Sequence, residues 1–126
     1  MLAFSSSELL ASRKKTGKKY LEFLRRESMS LGIYRLAAGQ QDPQRPHQED
    51  EVYYVMEGRA MIHVDGEERK VEAGDLIFVA ATDVHYFHEI VKDLTLLVFF
   101  APAESDLDYA NDALMFLRKL CPLPNL

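Results

Sequence analysis

Between Tyr20 and Phe100 the chain divides into short apolar-rich segments, each bounded by turn-forming residues. The turn signals recur roughly every eight to twelve residues, which is the pattern of an all-β sandwich or barrel. Strand-like stretches are read at 20–25, 29–37, 52–56, 59–64, 69–72, 76–79, 85–91 and 94–100. Glu27-Ser28 is a polar break, and 39–46 is a turn-rich loop with Pro43 and Pro46. Glu57-Gly58 reads as a tight turn. Asp65-Gly66 reads as a hairpin, since both turn positions tolerate positive φ. Residues up to about Gly17 are expected to be a strand or loop leading into the barrel. The run Arg13-Lys14-Lys15-Thr16-Gly17-Lys18-Lys19 is a solvated loop or an anion contact.

The character changes after Pro102. Leu107, Ala110, Ala113, Leu114, Leu117 and Leu120 recur at helical spacing. Asp106 or Asp108 can cap the start, and Arg118 and Lys119 suit the negative end of a helix dipole. The spacing predicts a C-terminal α-helix over about 106–120, ending before Pro122 and packed on the β body. The 126 residues fit one domain, and 48% hydrophobic with 28% charged suits a soluble globular core.

A net charge of −5 argues against nucleic acid as a partner, because phosphate contacts need a basic face. A small-molecule ligand or another protein is expected instead. One cysteine, Cys121, excludes an intrachain disulfide and suits a reducing, cytoplasmic location; it reads as an inert thiol. No apolar run has the length of a membrane span. The apolar patch in the first ten residues has no basic region before it, unlike a secretory signal.

Two phrases carry chemistry. One runs Pro46-His47-Gln48-Glu49-Asp50-Glu51, the other from Gly74 through Asp83-Val84-His85. Side chains alternate faces along a strand, so Arg45, His47, Glu49, Glu51, Tyr53 and Val55 are expected on one face, and His85, Phe87 and Glu89 on one face of another. If those faces meet inside a barrel, His47, Glu51 and His85 converge. Neutral imidazoles and a carboxylate suit one divalent transition metal: zinc, iron, manganese, nickel or copper.

The spacing goes further. Gly39 is followed by five residues, then Arg45-Pro46-His47; Glu51 comes three residues later and Gly58 six after that. Gly74 is followed by five residues, then Ala80-Ala81-Thr82, His85 and Glu89. Over about 29–100 the chain resembles the cupins, whose motifs are Gly, five residues, His-x-His, three or four residues, Glu, six residues, Gly, and Gly, five residues, Pro-x-Gly, two residues, His, three residues, Asn. The resemblance implies a jelly-roll barrel (a double-stranded β-helix) and a metal held by His47, Glu51 and His85. Arg45 replaces the first motif histidine and stays protonated, so it cannot ligate. Ala80 and Thr82 replace the loop proline and glycine, and Glu89 the asparagine.

Other residues have candidate roles. Glu49 is a replacement ligand, a general base or a solvated loop carboxylate. Tyr53 is a core aromatic or a hydrogen-bond donor in the pocket. Arg45 is a clamp for a substrate carboxylate or a partner of Glu49 or Asp50. His88 is expected on the outer face, and His63 is given no role. The segment 94–100 is apolar on both faces, which predicts a homodimer unless the C-terminal helix covers the second face. Three functions stay open: a metal-dependent enzyme on a small oxygen-rich compound (dioxygenase, isomerase or decarboxylase), a small-ligand binding or sensing module, and an interaction protein with an empty barrel.

Overall fold

The computed structural model describes residues 1–105. The helix expected at 106–120 lies outside them. Their elements are α1 (Ser6–Thr16), β1 (Tyr20–Arg25), β2 (Ser30–Leu36), β3 (Asp50–Val64), β4 (Glu67–Glu72), β5 (Leu76–Val79) and β6 (His85–Ala101). All strand pairs are antiparallel, in the order β1-β2-β6-β3-β4, with β5 added to the first half of β3.

The two long strands shape the molecule. The first half of β3 lies between β5 and the end of β6; its second half lies between β4 and the beginning of β6. The inner faces of both halves share one core cluster, with Leu36, Tyr53, Val55, Ile62, Phe87, Leu94 and Leu96 buried. Each large apolar side chain buried there contributes about 1.5–3 kcal/mol. This cluster is the wall behind the candidate site.

Three expectations are corrected. First, the N-terminal segment is a helix, not a strand or loop. Ser5 accepts a hydrogen bond from the Glu8 N–H, and Gly17 closes the other end at φ 71° with its N–H on the Arg13 and Lys14 carbonyls. The Ser5-x-x-Glu8 spacing was the legible capping signal. Arg13, Lys14 and Lys15 therefore form the last turn, where cations suit the helix dipole.

Second, Glu57-Gly58 is not a turn but an irregularity inside one continuous strand, and 85–91 and 94–100 likewise merge into β6. Register shifts at Val55/Glu57, Glu57/Arg59 and Arg59/Met61 absorb the bend. Before them β3 buries Glu51, Tyr53 and Val55; after them it buries Ala60 and Ile62, so inward parity switches from odd to even.

Third, the same happens in β6. Glu89, at φ 47°, breaks the alternation that buries His85 and Phe87, and Ile90 turns inward instead. Glu89 is consequently exposed rather than on the His85 face. The Asp65-Gly66 hairpin forms as expected, with both residues at positive φ.

Candidate metal centre

His47, Glu51 and His85 come together although they belong to three different segments. Glu51 is the second residue of β3, His85 opens β6, and His47 is in the loop between β2 and β3. They are 8%, 1% and 2% exposed. Each offers a ligand atom within 4.8 Å of the others. Two hydrogen bonds tie the supporting loops: Thr82 N–H donates to the His47 carbonyl at 2.6 Å, and Ala81 N–H to Asp50 Oδ1 at 2.9 Å. Thr82 takes φ 70° at the position where the second motif has glycine, and its bond to His47 holds that conformation.

Neighbours set the imidazoles. His85 Nδ1 is 2.9 Å from the Asp83 carbonyl, an acceptor that requires the proton on Nδ1. His85 Nε2 then faces Glu51 Oε1 at 3.0 Å. That approach is within ion-pair distance but lacks hydrogen-bond alignment, and Glu51 Oε1, Glu51 Oε2 and His85 Nε2 have no hydrogen-bond partner among the described residues. Burial disfavours the His85 imidazolium, yet the Glu51 carboxylate, the Asp83 carbonyl and Asp42 together outweigh burial and raise its pKa overall. Buried electron pairs aimed at each other need a positive charge between them. A proton is one solution, and a divalent metal held by these donors is the other, so the residues fit a metal.

A cavity of about 480 Å³ is lined by His47 and Glu51 of the group. Its wall holds Tyr53, whose hydroxyl is fully buried and donates to Gln44 Oε1 at 2.9 Å. Burial first, then the Glu51 charge, raise the Tyr53 pKa well above the ordinary phenol value. Tyr53 therefore keeps its proton at neutral pH and acts as a hydrogen-bond donor. Arg45 is exposed and on the cavity wall, where a carboxylate clamp would stand.

Glu49 is 4% exposed, so it is not a solvated carboxylate. Its Oε2 accepts from Ser105 N–H at 3.2 Å, and it is not among the residues lining the cavity. Strand alternation begins only at Asp50, after bends at Gln48 and Glu49, so strand parity does not govern Glu49. His88 and His63 lie on the outer face, both against Glu68, at 2.6 Å and 2.8 Å.

Five polar cavity residues escaped the reading of the motifs: Lys18, Lys19, Tyr20, Gln44 and Glu104. Tyr20 Oη is buried without a hydrogen-bond partner among the described residues. Glu104 Oε2 is 3.6 Å from His47 Nδ1. The basic run was the visible signal for Lys18 and Lys19. Nothing local marks Glu104, which arrives from beyond the end of β6.

These features define a class: an antiparallel, barrel-like β fold with a buried two-histidine, one-glutamate group able to hold a metal. Residues 32–100 match the family model of the cupin domain, and the chain belongs to the cupin family. It is 48% identical over 105 residues to an uncharacterized protein of Streptomyces coelicolor, covering 83% of this chain and all of that one. Among solved structures it resembles a protein of Thermus thermophilus, with 28% identity, TM-score 0.64, and 82% and 99% of the two chains covered. It also resembles a salicylate 1,2-dioxygenase mutant of Pseudoaminobacter salicylatoxidans in complex with gentisate, with 19% identity, TM-score 0.60, and 75% of this chain and 30% of that one covered. No helix among the described residues is long and apolar enough to cross a membrane.

Proposed function

We propose that this cupin is a metal-dependent enzyme acting on a small, anionic, oxygen-rich compound such as a hydroxy acid, keto acid or phenol. One observation carries the reading: Glu51 and His85 atoms without a hydrogen-bond partner among the described residues join His47 at ligand spacing, and His47 and Glu51 line a cavity walled by Lys18, Lys19 and Arg45. His47, Glu51 and His85 would hold the ion. When bound, it supplies a Lewis acid that polarises substrate oxygens. The three cations attract the substrate's negative charge, and the Arg45 guanidinium matches a carboxylate. Tyr53 holds a proton beside the group, and Glu104 orients His47 through Nδ1. Oxidative cleavage, isomerisation and decarboxylation are the reaction classes that use these parts.

The test is an assay of metal-loaded protein against hydroxy acids, keto acids, diketones and phenols, with and without oxygen. At least one such compound should be consumed. Arg45→Ala should raise KM about tenfold with kcat little changed, as loss of uniform binding does. Tight binding of every compound without turnover would leave a small-ligand binding module instead.

The proposal includes a homodimer. On the outer face of the sheet Tyr54 pairs with Leu76 and Val52 with Phe78, beside half-buried Leu97 and Phe99. Leu76 and Phe78 are 63% and 62% exposed, an apolar surface that a second copy would cover. Light scattering at micromolar concentration should give twice the chain mass; the mass of one chain would exclude the dimer.

A further inference from the structure

We propose that Gln44 is a fourth protein donor to the metal, its Oε1 supplying the contact that the motif loses at Arg45. This rests on the metal reading of the site above. The orientation of the amide carries the inference. Gln44 Nε2 donates to Asp42 Oδ2 at 3.2 Å. Asp42 is itself fixed from three other directions, by the Tyr34 hydroxyl at 2.7 Å, Phe87 N–H at 3.0 Å and Gln44 N–H at 3.2 Å. With its nitrogen tied to a carboxylate, Gln44 must turn its oxygen the other way. That oxygen accepts from Tyr53 at 2.9 Å and stands 3.2 Å from His47 Nε2.

The second support is distance. Two donors at about 2.1 Å from one ion and at right angles to each other are about 3.0 Å apart. Gln44 Oε1 to His47 Nε2 is 3.2 Å, and Glu51 Oε1 to His85 Nε2 is 3.0 Å. Both pairs have the separation of neighbouring ligands. His47 Nδ1 faces the Glu104 carboxylate at 3.6 Å, within ion-pair distance. Without metal, Nε2 can carry a proton and donate it to Gln44 Oε1; an ion on Nε2 would replace that proton and meet the same oxygen. An amide oxygen has two lone pairs, so Tyr53 can occupy one while the ion takes the other. Arg45, the neighbour in sequence, is exposed on the cavity wall and carries no lone pair to give.

Cobalt(II) tests this, because its visible absorption reports the donors around it whether or not the protein turns anything over. Wild type should bind one cobalt per chain. Gln44→Ala should bind at least tenfold more weakly, by the order of magnitude for loss of a metal-site group, and its absorption bands should shift. Gln44→Glu keeps an oxygen donor at that place and should bind cobalt more tightly than Gln44→Ala, with bands of its own; thermal melts check that both variants fold. If wild type binds cobalt and Gln44→Ala leaves the bands unchanged, Gln44 is not a ligand, even if affinity falls. A folded Gln44→Glu protein with the same cobalt affinity and the same bands as Gln44→Ala would also overturn the proposal. If wild type binds no cobalt, the metal reading itself fails.

Discussion

His85→Ala protein should retain less than about a tenth of the wild-type metal content while keeping a strand-dominated circular dichroism spectrum; removing one histidine ligand typically removes most affinity. The substitution deletes the Nε2 that faces Glu51 at 3.0 Å and leaves the core cluster intact. Metal that binds only the folded protein adds about 2.7 kcal/mol of stability at a hundredfold excess over Kd. A chelator should therefore lower the Tm of wild type and leave that of His85→Ala unmoved. Equal metal content in the two proteins would place the site elsewhere.

The metal-free proteins should differ in a pH-dependent way. The His85 pKa is raised in the fold, where Glu51, the Asp83 carbonyl and Asp42 together outweigh burial. The protonated pair then contributes stability that is fully present below the unfolded value of about 6.5 and is lost as pH rises through the raised value. The destabilisation of metal-free His85→Ala relative to metal-free wild type should accordingly be larger in acid than in alkali.

The second large effect is on folding. Gly58→Ala should cost about 3 kcal/mol or more in urea denaturation, or prevent folding. Gly58 has φ 100°, and a Cβ there would run into the Asp93 carbonyl and Leu94 Cα, which are backbone atoms that cannot step aside. Gly74 separates the causes. Its φ is 98° and a Cβ there meets nothing within 4 Å. Gly74→Ala should show only the backbone strain, about 1–2 kcal/mol. Equal costs at the two positions would refute the close approach of β3 and β6 as the reason for glycine at 58. The crossing matters to the site, because this bend lets one strand carry Glu51 and Tyr53 in its first half and close the core with Ala60 and Ile62 in its second.

Much of the site was legible in the chain. His47, Glu51 and His85 were legible because motif spacing is a property of the sequence, and the fold brings that spacing to one point. Most strands and the Asp65-Gly66 hairpin were legible because turn chemistry and apolar alternation act over a few residues. Alternation also misled where it was extended too far. It runs through Tyr53 but not back to Glu49, which precedes the strand, and it reverses after Gly58 and at Glu89. Those reversals depend on what the partner strand does, which no local window contains. Tyr20 from the first strand, Gln44 from a loop and Glu104 from beyond the last strand meet at one cavity for the same reason. The sequence by itself determined the candidate His47, Glu51 and His85 group and the β class through short-range pattern; only the tertiary structure decided which distant groups surround it, because strand pairing across 40 or more residues, as between Glu51 and Phe100, sets those distances.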